Sequence, residues 1–287
     1  MSQTRSSQRF KRVLRSPREI KNMRRAGLIV WQAHQAMYRL IRPGTTTAEI
    51  NNAVRETFAS YGAEPLFLNY GGPPPFPAET CISINEELVH GIPGPRKLKE
   101  GDIVSVDTGC RFEGWCGDAA FTHAVGNISS SAQNLLNVTL GSLHLAIEKM
   151  ATCKMWSEVA KEIDDYISSA GLHVVDTMVG HGIGKDLHES PQVPNYYDEE
   201  WAASEDFELR PGVVIAVEPM VNIGTAELKE LTDQWTQIAA DRSLAAHFEH
   251  TIAITADGPR ALTGKPTEDE MHLLPDWLQS PDEWLVW

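Results

Sequence analysis

The chain carries an internal repeat, and this limits its fold more than any other feature. "LKEGDIVSVD" (Leu98 to Asp107) and "LRPGVVIAVE" (Leu209 to Glu218) share one frame: Leu, a base, any residue, Gly, then an apolar, β-branched run ending in an acid. The offset is 111 residues. Upstream, "TTAEINNAVRETFASYGA" (46–63) resembles "MWSEVAKEIDDYISSAGL" (155–172) at nearly the same offset, with Glu49 over Glu158 and Gly62 over Gly171. An earlier amphipathic run, 20–40, has a counterpart in 134–150. Any two amphipathic helices look alike, but a shared order of helix, helix, strand and acid does not arise so easily. The repeat predicts an α+β fold built from two related halves, about 18–126 and 130–257.

Periodicity predicts helices near 18–41, 46–61, 131–150 and 155–170, and strands at 80–85, 102–108, 118–125, 173–178, 213–218 and 248–255. "YGGPPPFPAE" (70–79) is too rich in Gly and Pro for either and reads as a loop, as does "HGIGKDLHESPQVPNY" (181–196). Residues 1–25 hold nine Lys or Arg and one acid. Segment 1–16 therefore reads as a basic flexible arm, 17–263 as a single domain, and 264–287 as a Trp-rich tail that packs on the body or on another subunit. The whole chain has 287 residues and a net charge of −14, which argues against a general nucleic-acid binder. No apolar run approaches the ~20 residues of a membrane span, and the polar N-terminus does not read as a signal peptide. Four cysteines without a CxxC pair fit intracellular thiols, so a cytoplasmic location is expected.

Several acids stand where acids are expensive. Glu218 closes the apolar run Val213 to Val217, and Pro219 follows at once. An ionised carboxylate at the end of a buried strand needs a positive partner. Asp107 and Asp118 flank a hairpin permitted by Gly109 and Gly114, which would bring both acids to neighbouring places, where they repel unless they share a proton or a cation. Glu249 sits in the apolar "AAHFEHTIAIT" with His247 and His250 nearby. His181 and His188 flank a glycine loop, and their spacing of seven excludes the helical HExxH zinc site. Each feature alone has an ordinary reading: hairpin polarity, a structural histidine, an acid on a solvated edge. Together, Asp107, Asp118, Glu218 and Glu249 bring about four negative charges and His181 a neutral nitrogen. Two divalent cations would balance that charge, and oxygen-rich ligands with one imidazole suit Mn, Co, Fe or Zn.

In combination these residues resemble the type 1 methionine aminopeptidases of the pita-bread metallopeptidases, a likeness covering about 17–263. "CISINEELVHGIPG", "GDIVSVD" with Asp118 beyond it, "GHGIGKDLHESPQVPNY", "VVIAVEPMV" and "DRSLAAHFEHTIAIT" carry it. The resemblance implies a pita-bread fold of two pseudo-symmetric halves around a dinuclear metal site. It implies that Asp118 and Glu249 bridge both ions, that Asp107 holds one, and that His181 and Glu218 hold the other. It places His188 beside the scissile peptide as a hydrogen-bond donor and His90 near the residue after methionine, makes Glu218 the proton carrier, and lines the methionine pocket with Tyr70, Phe76, Cys81 and Trp235. The implied reaction is removal of N-terminal methionine from nascent proteins and peptides with a small second residue, by a monomer with no DNA or membrane partner. Its basic arm could contact ribosomal RNA.

This sequence departs from the family pattern at the pocket. Gly71 stands where a His is usual, about three residues are inserted near Pro73–Pro75, Leu187 replaces Phe, and Glu189-Ser190-Pro191 replaces Glu-Glu-Pro. These changes bear on side-chain selectivity rather than on hydrolysis. The competing readings are a relative that cleaves X-Pro bonds and, from another class, a non-catalytic binding module of the same fold. The first generally carries an added N-terminal domain, and the second loses ligands that are all present here.

Overall fold

A computed structural model of the chain describes residues 13–275 and Leu278. The residues before Val13 and the tail tryptophans Trp277, Trp284 and Trp287 lie outside the described set. Helix α1 (Pro17–Tyr38) opens with Pro17 in its first turn and Ser16 as N-cap, while Glu19 reaches back to the Ser16 amide at 2.7 Å. Helix α2 (Thr47–Tyr61) repeats the device with Thr46 and Glu49 and ends at Gly62, whose φ is 64°. In the second half α3 (Ser130–Lys149) packs on α4 (Trp156–Ser169) as α1 packs on α2.

The repeat seen in the sequence is matched by repeated backbone contacts. Glu49 accepts from the amide of Thr46, and Glu158 from those of Lys154 and Met155, each at a helix start. Leu98 N donates to Thr45 O and Leu209 N to Lys154 O, both at 2.8 Å. Isolated bridges join Thr46 to Lys97 and Met155 to Glu208. Gly101 (φ 89°) and Gly212 (φ 99°) make the same left-handed turn into the strand that follows.

Those strands form the core sheets. Strand Ile103–Phe112 pairs antiparallel with Trp115–Ala124 through a turn at Glu113-Gly114, and with Cys81–Ile84 on its other side. Strand Val214–Val217 lies between His250–Thr255 and Gly180–Gly182, and the last pairs onward with Glu189–Val193. Hydrogen bonds sew the halves together at their seam. Glu249 N donates to Ala120 O at 2.7 Å, and Thr251 Oγ1 links to both the amide and the carbonyl of Asp118. Apolar faces of α1, α2, α3 and α4 close over the sheets, with Trp31, Phe58, Phe121 and Trp156 fully buried.

The four helices lie within a few residues of their expected places. The glycine stretch 181–196 differs: it holds the paired strands Gly180–Gly182 and Glu189–Val193. Their register slips between His181 and Gly182, so no unbroken alternation marks them in the sequence. At the N-terminal boundary, Arg15 and Ser16, expected in the arm, are fastened to the body. Arg15 N donates to Gly212 O at 2.7 Å, and the buried Arg15 guanidinium pairs with Glu189. At the other end, the described part of the tail also packs on the body. Glu270 pairs with Arg24 and Arg260, while Leu274 and Leu278 pack with Trp31. Among the described residues, no helix is long and apolar enough to cross a membrane.

Candidate metal centre

The strand register brings the acids together. Asp107 faces Ala120 and Asp118 faces Gly109, so the two acids stand diagonally on one side of the hairpin. A Cβ at position 109 would lie 2.8 Å from Asp118 Oδ1, so only glycine leaves room for that carboxylate. His250 pairs with Val217, which sets Glu249 against Glu218 one step further along. Pro219, with no amide hydrogen, breaks the strand after Glu218. His181 enters from the neighbouring strand, its Nε2 3.6 Å from Glu218 Oε1 and 3.9 Å from Asp118 Oδ2.

Every site residue expected from the sequence lines one cavity of about 350 Å³. Asp107, Asp118, His181, Glu218 and Glu249 gather on one side of it, with Tyr70, Phe76, Cys81, His90, His188 and Trp235 around them. Phe76 and Trp235 meet edge to face at 5.2 Å, and His90 meets Trp235 at 6.2 Å. The Trp235 indole donates to Pro74 O at 3.0 Å, so the proline-rich loop holds the wall in place. Burial, followed by the neighbouring carboxylates, raises the Cys81 thiol well above its usual range, leaving a neutral wall. At the rim, Tyr70 hydrogen-bonds His188 Nδ1. Glu189 is not part of the cavity lining. It accepts from the amides of Lys185 and Asp186 and pairs with Arg15, fixing the turn that carries His188.

The electrostatics of the acid cluster call for a cation. Asp107 Oδ1, Asp118 Oδ1, Glu218 Oε1 and Glu249 Oε1 are buried and accept no hydrogen bond from the described residues. Among the described residues, no Lys or Arg lines the cavity. Burial first, and then mutual repulsion, pushes Asp107, Glu218 and Glu249 well above the carboxylate range. Burial alone lifts Asp118 to about 7. Buried carboxylates in such a state need protons or metal. The imidazole points to metal. His181 Nδ1 donates to Gly182 O at 3.0 Å, and burial holds the ring near a pKa of 3, so Nε2 presents a neutral lone pair to the acids. Ligand atoms of Asp118, His181 and Glu249 lie within 4.8 Å of one another, and so do those of Glu218, His247 and Glu249. The donor set fits divalent cations.

The family model "Metallopeptidase family M24" matches residues 21–256, most of the chain. The chain belongs to that family. Among curated M24 relatives, methionine aminopeptidase 1 of Bacillus subtilis is 43% identical over 251 residues, covering 88% of this chain and 98% of that protein. Methionine aminopeptidase of Clostridium acetobutylicum is 42% identical, with the same shares covered. Among solved structures, methionine aminopeptidase from Thermotoga maritima superposes with a TM-score of 0.82 at 39% identity, covering 88% of this chain and 99% of that one. The Xaa-Pro dipeptidase of Bacillus anthracis gives 0.68 at 24% identity, covering 90% of this chain and 63% of the other, a likeness of fold. The M24 chain therefore has the pita-bread architecture that its resemblance implied, with the two halves that its repeat predicted.

Sequence reasoning noted His247 beside Glu249 but gave it no role. Its ring lines the cavity. The available signal was its place two residues before Glu249, since alternate residues of an extended chain share a face. Phe67, Val89, Met178 and Met220 also line the cavity without a sequence signal that sets them apart from ordinary core residues.

Proposed function

We propose that this chain removes N-terminal methionine from peptides and proteins, favouring a small second residue, with Asp107, Asp118, His181, Glu218 and Glu249 holding two divalent cations. One observation carries the reading: four carboxylates, each with a buried oxygen that accepts no hydrogen bond from the described residues, and a neutral imidazole face a cavity with Phe76, Cys81 and Trp235 on its other side. When bound, the cations supply Lewis acidity for carbonyl polarisation and water activation. The chain's own groups do the rest. Phe76, Cys81 and Trp235 enclose a thioether side chain and exclude water from it. Glu218 is assigned the proton transfer, taking a proton from the attacking water and returning it to the leaving amine.

His188 is set up as a donor. Desolvation raises the Tyr70 phenol and lowers the His188 imidazole, so both are neutral at physiological pH. Tyr70 then donates to Nδ1, and the ring proton is left on Nε2. A donor there can bind the carbonyl oxygen of the scissile peptide as negative charge develops on it. His90 lies on the Trp235 side of the cavity, suited to contact with the second residue.

A panel of Met-X-Ser peptides assayed with Mn, Co, Fe and Zn, alongside Arg-Pro-Pro, tests this. Methionine release confined to small X, abolished by a chelator and restored by metal, is expected. Cleavage of Arg-Pro-Pro alone would transfer the assignment to the X-Pro enzymes, and metal binding without any cleavage would leave a binding module.

A further inference from the structure

One polar group in the cavity takes no part in this scheme. His247 ends strand Ala245–His247, and its backbone is fastened on both sides by Thr122. His247 N donates to Thr122 Oγ1 at 2.9 Å, and that hydroxyl donates to His247 O at 2.8 Å. Pairing with Met220 fixes the register of the strand. The residue is 1% exposed, yet neither ring nitrogen has a hydrogen-bond partner among the described residues. Buried imidazoles ordinarily satisfy at least one nitrogen. Four of the site acids are buried in the same cavity with an unsatisfied oxygen each.

The placement of the ring is specific. Nε2 lies 3.6 Å from Glu218 Oε2, while His181 Nε2 lies 3.6 Å from the other oxygen of that carboxylate, Oε1. Glu218 thus stands between two imidazoles. Ligand atoms of Glu218, His247 and Glu249 fall within 4.8 Å of one another, a span that one cation bridges. We propose that His247 is a second imidazole of the metal centre, ligating through Nε2 the divalent cation that Glu218 and Glu249 share. The inference rests on the reading that these carboxylates hold a cation, and it extends their donor set from one nitrogen to two. A second nitrogen donor biases the site toward Zn, Co and Fe over Mn, which prefers oxygen ligands.

The test uses the full chain, stripped by chelator and titrated with Co(II) by calorimetry, as wild type, His247→Gln and His247→Ala. Glutamine fills much of the space of the ring without its basic nitrogen. The expected result is that one Co(II) site weakens by about 10–100-fold or more in both variants, the range seen even for supporting groups around a metal. Pulsed electron resonance of the Mn(II)-loaded wild-type protein counts coordinated imidazole nitrogens and does not depend on any variant folding. Two imidazoles are expected. One imidazole, or a His247→Gln affinity within twofold of wild type, overturns the assignment of His247 and leaves the five-residue centre standing. A wild-type protein that binds no cation overturns the underlying reading and this proposal with it.

Discussion

Replacing Asp118 by Asn should have opposite consequences with and without metal, and the size of the effect follows from the site. Burial lifts the Asp118 carboxyl from 3.8 to about 7. For an acid raised in the folded state, the native protein binds more protons than the unfolded chain between those two values. The contribution is nil below pH 3.8 and becomes increasingly unfavourable as the pH climbs to about 7. For the metal-free wild type, the Asp118 carboxyl alone costs about 2 kcal/mol at pH 5 and about 4 kcal/mol at pH 8. Asparagine removes this titration. Its buried amide adds a cost of its own, about 1–3 kcal/mol if unpaired, but that cost does not vary with pH. Urea denaturation of the chelator-stripped proteins at pH 5 and pH 8 should therefore show Asp118→Asn gaining at least about 2 kcal/mol on wild type across that interval, because the substitution also removes the repulsion that raises Asp107, Glu218 and Glu249. Buried histidines such as His181 and His247, both held near 3, drop out because they are common to the two proteins. With saturating Co(II) the order reverses, since the wild type gains a ligand that the variant lacks. A difference between the stripped proteins that stays flat from pH 5 to pH 8 would refute the argument that this carboxylate is held protonated when metal is absent.

Tyr70→Phe removes the donor that fixes the His188 tautomer, and should lower kcat about 3–10-fold with little change in KM, the worth of one hydrogen bond. Glu270→Gln should cost about 1–3 kcal/mol at pH 7 by leaving the buried Arg24 guanidinium without its carboxylate. Burial alone would raise Glu270, but the Arg24 hydrogen bonds draw it down to about 2, so the wild-type advantage in urea melts is full above about 4.5 and vanishes as the pH falls through 2. Trp235→Phe frees the cavity wall from Pro74, and should raise KM for Met-X-Ser peptides about 2–10-fold while leaving Co(II) affinity unchanged in calorimetry.

The fold was legible wherever short-range chemistry repeats. Glu49 and Glu158 each cap a helix, and Gly101 and Gly212 each turn the chain into a strand, so two halves could be aligned before any contact was known. The acids were legible for a related reason. Glu218 after five apolar residues is so costly that its partner could be inferred as positive. The strands at Gly180–Gly182 and Glu189–Val193 escaped because their pairing spans a bulge and a proline, and each is held by a partner strand rather than by its own pattern. His247 escaped because a histidine beside apolar residues usually has a backbone partner. Only the folded arrangement leaves both of its ring nitrogens unpaired.

Charge and shape constrain this site in different ways. The acids and His181 tolerate few alternatives once a cation is bound, because loss of one carboxylate leaves the cation's charge less balanced and loss of the imidazole removes a ligand, in a medium that screens charge poorly. The apolar wall faces no such penalty. A side chain at Gly71 would place its Cβ 3.0 Å from the Trp235 ring, at a φ of 59° that L residues rarely adopt. The indole occupies that space and is held by the Pro74 carbonyl. Gly71 and Pro74 thus act on the same ring: the proline-rich loop clamps Trp235, and glycine makes room for the clamped ring. A change in this loop can alter which side chains fit while the reaction chemistry beneath it stays the same.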